Sequence, residues 1–256
     1  IGIGSGGGVG KVTAEWLMKG HINEDIFSYD IKRFQKFHSE LGFIKERITE
    51  SLGDLYGVHW PFKQHKTSRN IKKLPHHDNL KNFDACFGVS GGYERPMWFA
   101  LNGEKAEYEY SYNFQNWFPS AEYESKNTVK NVGLFDLTPF SKFEIFSEKA
   151  HEELQKICTA NIKNEVGKCT YTQMLNSDGG IETDLTVICM GKNQYRIISS
   201  AATRERDKFH IKKHISSDIE LKDVTDDFCV FGLFGPKSRD LLKTLSSDSF
   251  ENNDFK

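Results

Sequence analysis

The chain has 256 residues and a formal net charge of −2, with lysines and acids mixed along its length. No basic stripe marks a nucleic-acid surface, no polybasic block marks a lipid surface, and no run approaches the roughly 18 apolar residues of a spanning helix. Five cysteines, widely spaced and without a Cys-x-x-Cys pair, argue against a disulfide framework or a zinc motif. Reduced thiols in a cytosol-like compartment are expected, and small molecules remain as the partners.

In chain order, Ile1-Gly2-Ile3-Gly4 reads as the end of a strand, so the sequence is expected to be cut from something longer. A glycine loop through Gly6, Gly7, Gly8, Val9 and Gly10 then opens a helix from Lys11 to Lys19, closed by Gly20. Exposed N–H groups and the positive end of the helix dipole suit an anionic or electron-rich ligand group there. The loop is not a P-loop, because counting back from Gly10-Lys11 puts Ser5 at the first glycine and Val12 at the hydroxyl position. Gly2-x-Gly4-x-x-Gly7 satisfies the dinucleotide pattern formally, without the strand and βαβ unit that give it meaning.

From residue 30 to about 55, Ile31, Phe34, Phe37, Leu41, Ile44, Ile48 and Leu52 recur at helical steps, and Gly42 predicts one broken helix or two. Residues 58 to 84 are polar and turn-rich and predict a surface connection. Its histidines, His59, His65, His76 and His77, lack the acids or cysteines of a recognised ligand spacing. Solvated histidines and no metal are expected.

Near residue 85 the composition shifts to aromatics and β-formers. Tyr108, Tyr110, Tyr112, Phe114, Trp117 and Phe118 follow without basic interleaving, which predicts core or interface rather than a nucleic-acid stacking surface. The Glu94-Arg95 neighbours read as a structural ion pair. Strands are expected near residues 132 to 136 and 142 to 145, a helix over 150 to 157, and then a hairpin. Its first strand is Tyr171 to Asn176, its turn is Ser177-Asp178-Gly179-Gly180, and its second strand continues through Val187. In that second strand Leu185, Val187 and Cys189 form one apolar face, while Glu182, Asp184 and Thr186 share the other. Asp184 therefore faces water or a ligand. A third strand over 194 to 200, a helix over 205 to 214, a strand over 228 to 233 and a helix from Leu241 to Leu245 complete an α+β arrangement.

Several of these segments, in this order, resemble the dimethylglycine and sarcosine dehydrogenase family. Gly7-Gly8-Val9-Gly10-Lys11 with Ala14-Glu15-Trp16-Leu17 looks like the last flavin-contacting loop and helix of a D-amino-acid-oxidase-type FAD domain. Gly91-Gly92-Tyr93-Glu94-Arg95-Pro96-Met97-Trp98-Phe99 resembles the family's Gly-Trp-Glu-Arg-Pro-x-Trp-Phe signature, with Tyr93 in place of its first tryptophan. The Val132 to Phe140 segment, the Tyr171 to Val187 hairpin and Leu233-Phe234-Gly235-Pro236 look like successive motifs of the glycine-cleavage T-protein.

The resemblance implies three parts: residues 1–27 as the end of an FAD domain, 28–84 as a short, mostly helical central domain, and 85–256 as a truncated T-protein-like folate-binding domain. It implies FAD and tetrahydrofolate as cofactors and an N-methyl amine as substrate, with an electron acceptor left open. The flavin would take a hydride from an N-methyl group and tetrahydrofolate would capture the one-carbon unit. Gly7, Gly8, Val9, Gly10 and Lys11 would lie against the flavin. Tyr171, Leu175, Asp184 and Thr186 would contact the folate, with Asp184 as the catalytic acid–base. Phe140 stands where many T-proteins carry methionine. An internal fragment of this kind is expected to be inactive alone. Its compartment would be cytoplasmic, or the mitochondrial matrix in a eukaryote. A regulatory or binding protein of the same layout and a folate-dependent demethylase or aminomethyltransferase are the competing readings.

Overall fold

A computed structural model describes residues 2–22 and 24–254, and these fall into two compact units, Ile1–Arg33 and Phe34–Lys256. In the first, Ile3–Ser5 form a 3-10 turn and α1 spans Gly6–Lys19. The expected strand end over residues 1 to 4 is therefore a helical turn from Ile3, with Ile1 outside the described residues. The glycine loop is correspondingly shorter than expected. Gly6, Gly7, Gly8 and Gly10 already have helical backbone, because an N-terminal turn tolerates glycine's weak propensity when the following Lys11 to Lys19 run is a good helix former. Gly20, at φ +75°, ends α1 by donating its N–H to Trp16 O at 2.8 Å. Lys11 is held by Glu24 at 2.9 Å, and the Lys32 ammonium sits 5.7 Å from the Trp16 ring.

In the second unit the helical periodicity after residue 30 resolves into a 3-10 turn at Lys36–Ser39 and the helix α2, Leu41–Asp54. The break falls at Glu40, and Gly42 lies inside α2. Glu50 of α2 ties the helix to the following loop. Its carboxylate accepts the Lys66 amide (2.7 Å), the Thr67 amide (2.9 Å) and the Thr67 hydroxyl. Burial opposes the charge, but these donors outweigh it and hold the carboxyl down to about 2. A depressed carboxyl stabilises the fold above its unfolded value of 4.5, and that contribution is lost as pH falls toward 2. Glu50→Gln should therefore melt below wild type at neutral pH, with the gap closing by about pH 2; Tm measured against pH for the two proteins checks this.

The 58 to 84 segment is mostly irregular, but it carries the short helix α3, His77–Lys81, and is not wholly a surface connection. Leu74 and His77 are buried, and the His77 ring stacks on Phe87 at 4.1 Å. This corrects the expectation of solvated histidines at that position. The hairpin β1, Ala85–Ser90, and β2, Tyr93–Phe99, turns through Gly91 and Gly92 at φ +59° and +83°. A Cβ at Gly91 would meet the Ala201 methyl at 2.9 Å, so the turn needs glycine for space as well as for φ. Glu94 and Arg95 do not pair, since neighbours on a strand point to opposite faces. Glu94 instead binds Arg69, while Arg95 Nη2 donates to Asp136 O at 3.3 Å.

After an irregular aromatic stretch comes α4, Phe118–Lys130, which the sequence reading passed over. Then follow β3 (Gly133–Asp136), β4 (Ser141–Phe146), α5 (Ala150–Ile157), β5 (Cys169–Leu175), β6 (Ile181–Gly191), β7 (Gln194–Ser199), α6 (Arg204–His214), β8 (Leu221–Asp223), β9 (Phe231–Phe234) and α7 (Ser238–Leu245). β3 and β9 form a two-stranded ribbon, and the others make an antiparallel sheet of order β5-β6-β7-β4-β8. One face of that sheet, with Phe143, Ile145, Met174, Leu185, Val187 and Ile197, shares a single core with Leu154 of α5 and Ile211 of α6. Helices cover that face by burying apolar side chains of one strand parity. The other parity is left to carry the site.

Candidate functional site

The β5–β6 hairpin is set by its turn. Asn176 Oδ1 accepts the Asp178 and Gly180 amides at 3.0 and 2.8 Å, and Gly179 takes φ +81°. This register places Tyr171 opposite Thr186 and Gln173 opposite Asp184, with an irregularity just before Leu175. The alternation expected for β6 is present: Thr183, Leu185, Val187 and Cys189 are buried, while Asp184 is exposed. Tyr171 Oη donates to Asp184 Oδ2 at 3.0 Å. The structure thus brings Tyr171, Asp184 and Thr186 together on the open face, and Leu175, 37% exposed, lies further along β5 beyond the irregularity, opposite Ile181. A carboxylate fixed by a phenol beside apolar surface can accept a proton from a bound amine while the ring offers a stacking wall.

The same face continues across the sheet with residues the sequence reading did not single out. One row runs Tyr171, Thr186, Ile198, Lys142. Lys142 is buried, and its ammonium donates to the carbonyls of Thr138 (2.8 Å), Phe140 (2.8 Å) and Thr225 (3.0 Å). Burial pushes that ammonium's pKa down. Lys142 thereby clamps the turn that presents Phe140 to the segment that follows β8. The adjacent row carries Ile188, Arg196 and Glu144. Arg196 Nε and Nη2 both reach Glu144 Oε1, at 3.0 and 2.5 Å, and the guanidinium lies 4.1 Å from the Phe228 ring. Cross-strand opposition is the only signal that links residues 144 and 196, and it needs a register that composition does not supply.

Gly7, Gly8, Val9, Gly10 and Lys11 lie in the first two turns of α1, in the other unit. A Cβ built at Gly7, Gly8 or Gly10 meets nothing within 4 Å, so the backbone there is open to close approach. Ile3 O takes the Gly6 N–H, so it is the first-turn amides of Gly7 and Gly8 that suit an electron-rich ring edge. The Lys11 ammonium is engaged by Glu24 and Glu15. The fit to a flavin is therefore to main chain rather than to side chains.

Glu50, Asp54 and His65 bring one possible metal-ligand atom each to within 4.8 Å of one another. Two of the three are engaged elsewhere: Lys63 Nζ binds Asp54 Oδ1 at 2.6 Å and Glu50 caps the Lys66-Thr67 loop. The trio works as a charge-compensated tie between α2 and that loop.

The family model described as the GCVT N-terminal domain matches residues 76–256. The chain belongs to this family. A second model, the FAD dependent oxidoreductase central domain, matches residues 19–73. The 4-methylaminobutanoate oxidase (formaldehyde-forming) of Paenarthrobacter nicotinovorans is 36% identical over 244 residues, covering 95% of this chain and 30% of that protein. Mitochondrial dimethylglycine dehydrogenase of Rattus norvegicus is 28% identical over 263 residues, covering 100% and 30%. The mitochondrial pyruvate dehydrogenase phosphatase regulatory subunit of Mus musculus is 31% identical over 252 residues, covering 96% and 29%. The chain thus spans about 30% of the length of these relatives. Among solved structures, the glycine cleavage system aminomethyltransferase T from Bartonella henselae superposes with a TM-score of 0.56 at 19% identity, covering 70% of this chain and 45% of that one. The motif resemblance and the α+β architecture thus agree with the family match. Among the described residues no helix is long and apolar enough to cross a membrane.

Proposed function

We propose that the chain is part of an FAD- and tetrahydrofolate-dependent N-methyl amine dehydrogenase of the dimethylglycine and sarcosine type. The observation that carries this is Asp184, held by Tyr171 on an open, partly apolar sheet face of a GCVT-family domain. The relatives named for oxidation of methylated amino acids along 95% or more of the chain support the same reading. Residues 1–27, 28–84 and 85–256 are proposed as the end of the FAD domain, the central domain and the folate domain. The matrix would be the compartment in a eukaryote, as the relatives named mitochondrial suggest.

When bound, the flavin supplies hydride acceptance from the N-methyl carbon. The α1 backbone at Gly7 to Lys11 would hold its ring edge, where the helix dipole would favour added negative charge. Asp184 would take up the proton from a folate amine held on this face, and the Tyr171 hydrogen bond fixes its carboxylate for that role. The Tyr171 ring would supply apolar wall, Thr186 lies on the same face, and Leu175 would extend the wall beyond the β5 irregularity. Anaerobic flavin bleaching in the full-length protein, with dimethylglycine and then sarcosine, tests the reading. Bleaching supports it. No bleaching with any N-methyl amine favours a regulatory role like that named for the 31%-identical mouse relative.

Arg196 is proposed to take the anionic tail of the folate. Its opposite residue, Ile188, lies four positions along β6 from Asp184, about 13 Å at the usual strand rise, a span comparable to that from pterin ring to glutamate. Arg196→Gln should weaken tetrahydrofolate binding by about tenfold, the worth of one charged hydrogen bond, and leave a reduced pterin without the glutamate unaffected. Calorimetric titration of both ligands checks this, and equal losses for the two would remove Arg196 from the tail site.

A further inference from the structure

The β1–β2 turn sits between two parts of the second unit. A Cβ at Gly92 would meet the Gln35 amide nitrogen at 2.7 Å, as one at Gly91 would meet Ala201, so the turn carries glycine where it touches each side. Gln35 Nε2 donates to Gly91 O at 2.6 Å, and Gln35 Oε1 accepts from Lys72 Nζ at 3.2 Å. Gln35 and Lys72 fall within the central-domain match, residues 19–73, and Ala201 falls within the GCVT match, residues 76–256. The turn is thus a joint between the two.

Charge closes the same joint. Lys72 Nζ lies 4.2 Å from the centre of the Tyr93 ring and 3.2 Å from Asp226 Oδ1. Tyr93 is buried and donates its hydroxyl to Asp226 Oδ1 at 2.8 Å. Burial and that carboxylate push the phenol's pKa up, so it stays a donor. Arg204 reaches the Tyr93 hydroxyl and Asp226 Oδ2, both at 3.3 Å, and holds Asp223 by two bonds of 2.9 Å. Asp226 therefore gathers donors from three segments that are far apart in the chain.

Asp226 belongs to the 3-10 turn Thr225–Asp227, and the other side of that turn is held by Lys142. The buried Thr225 hydroxyl donates to Asp223 Oδ1 at 2.7 Å and accepts the Lys142 amide at 3.0 Å, while Thr225 O accepts the Lys142 ammonium at 3.0 Å. Lys142 in turn holds Phe140 O and ends the strand row that begins at Tyr171. We propose that Lys72 and Tyr93 are positioning residues for the folate face, acting through the Thr225–Asp227 turn and Lys142 on the turn that carries Phe140. The proposal rests on the folate reading of the Asp184 face. It gives the Gly91 to Glu94 signature a task, which is to hold the central part of the chain and the folate part in one register. Contiguous hydrogen bonds of this kind are the physical means by which remote residues bias a site, and coupling measurements decide whether they do.

Lys72→Met keeps the bulk of the side chain and Tyr93→Phe keeps the ring. In the full-length protein each should weaken tetrahydrofolate binding by about 2- to 30-fold, the range of such indirect coupling. Each should also speed amide hydrogen exchange over residues 137 to 142, with amine-dependent flavin reduction unchanged. Lys149→Met, which breaks an exposed ion pair with Asp218, should change none of these. Lys142→Met should weaken tetrahydrofolate binding by itself, and adding Lys72→Met to it should cost little more, because independent sites add and linked ones do not. Thermal melts show whether the variants fold; if Lys142→Met does not, binding and exchange in the two single variants decide. Additive losses in the double variant would overturn the proposal and leave the function reading standing. So would a folded Lys72→Met or Tyr93→Phe protein with wild-type tetrahydrofolate affinity or wild-type exchange over 137 to 142. A wild-type protein that binds no tetrahydrofolate would overturn both.

Discussion

Asp184→Asn in the full-length protein is expected to lower the yield of 5,10-methylene-tetrahydrofolate per flavin reduced by about 10²- to 10⁴-fold, the usual loss when a positioned general base is removed. Asparagine keeps the size of the side chain and an oxygen for the Tyr171 hydroxyl, so the hairpin and the 3.0 Å bond survive. Only the capacity to take a proton is lost. Anaerobic flavin reduction by the amine should not change, because that chemistry is assigned to a different part of the protein. Rapid-quench analysis of folate products, alongside the flavin absorbance, separates the two steps. An Asp184→Asn protein that forms methylene-tetrahydrofolate at the wild-type rate would make Asp184 an ordinary solvated strand acid, which is what strand parity alone suggests.

Much of this site was legible because β6 is regular. Its alternation of Leu185, Val187 and Cys189 with Asp184 and Thr186 is a local pattern, and the Asn176 to Gly180 turn is set by residues within five positions. Side-chain parity and turn chemistry act over that range, so sequence alone carries them. The Arg196–Glu144 pair and the Lys142 clamp were not legible. Each joins segments 52 or 83 positions apart, and which residues meet depends on how separate strands are registered. The start of α1 is hidden for a different reason. Glycine has weak helix propensity, and a run of four glycines in five positions looks like a loop until the helix behind it is seen to propagate back to Gly6. Adjacency suggests a Glu94–Arg95 pair, but neighbours on β2 point to opposite faces. The true partner of Glu94, Arg69, sits in a stretch with no periodicity to announce it.

That buried partnership should dominate the stability of the second unit. Glu94 is 2% exposed, and Arg69 meets it with two parallel bonds, Nε to Oε1 at 2.7 Å and Nη2 to Oε2 at 2.6 Å. The Asn70 amide adds a third donor at 2.7 Å, while Arg69 also reaches Phe87 O at 3.1 Å. With the Glu94 amide bonded to Lys72 O, these contacts fasten the irregular 69 to 73 segment along β2. Burial opposes the Glu94 charge, but the Arg69 bonds outweigh it and hold the carboxyl below its ordinary value. The stability this gives is complete above the unfolded carboxylate range and is lost as pH falls through the depressed value. Removing one partner leaves the other charge buried and unpaired, so Arg69→Met should destabilise by about 3–5 kcal/mol. For a unit of this size that is a fall in Tm of roughly 10 °C or more. The double variant Arg69→Met/Glu94→Gln should recover part of the loss, because no lone charge then remains inside. Thermal melts of the two single variants and the double variant measure the coupling directly. Additive losses would mean that the two side chains act independently, and that the 69 to 73 segment is held by its main-chain bonds alone.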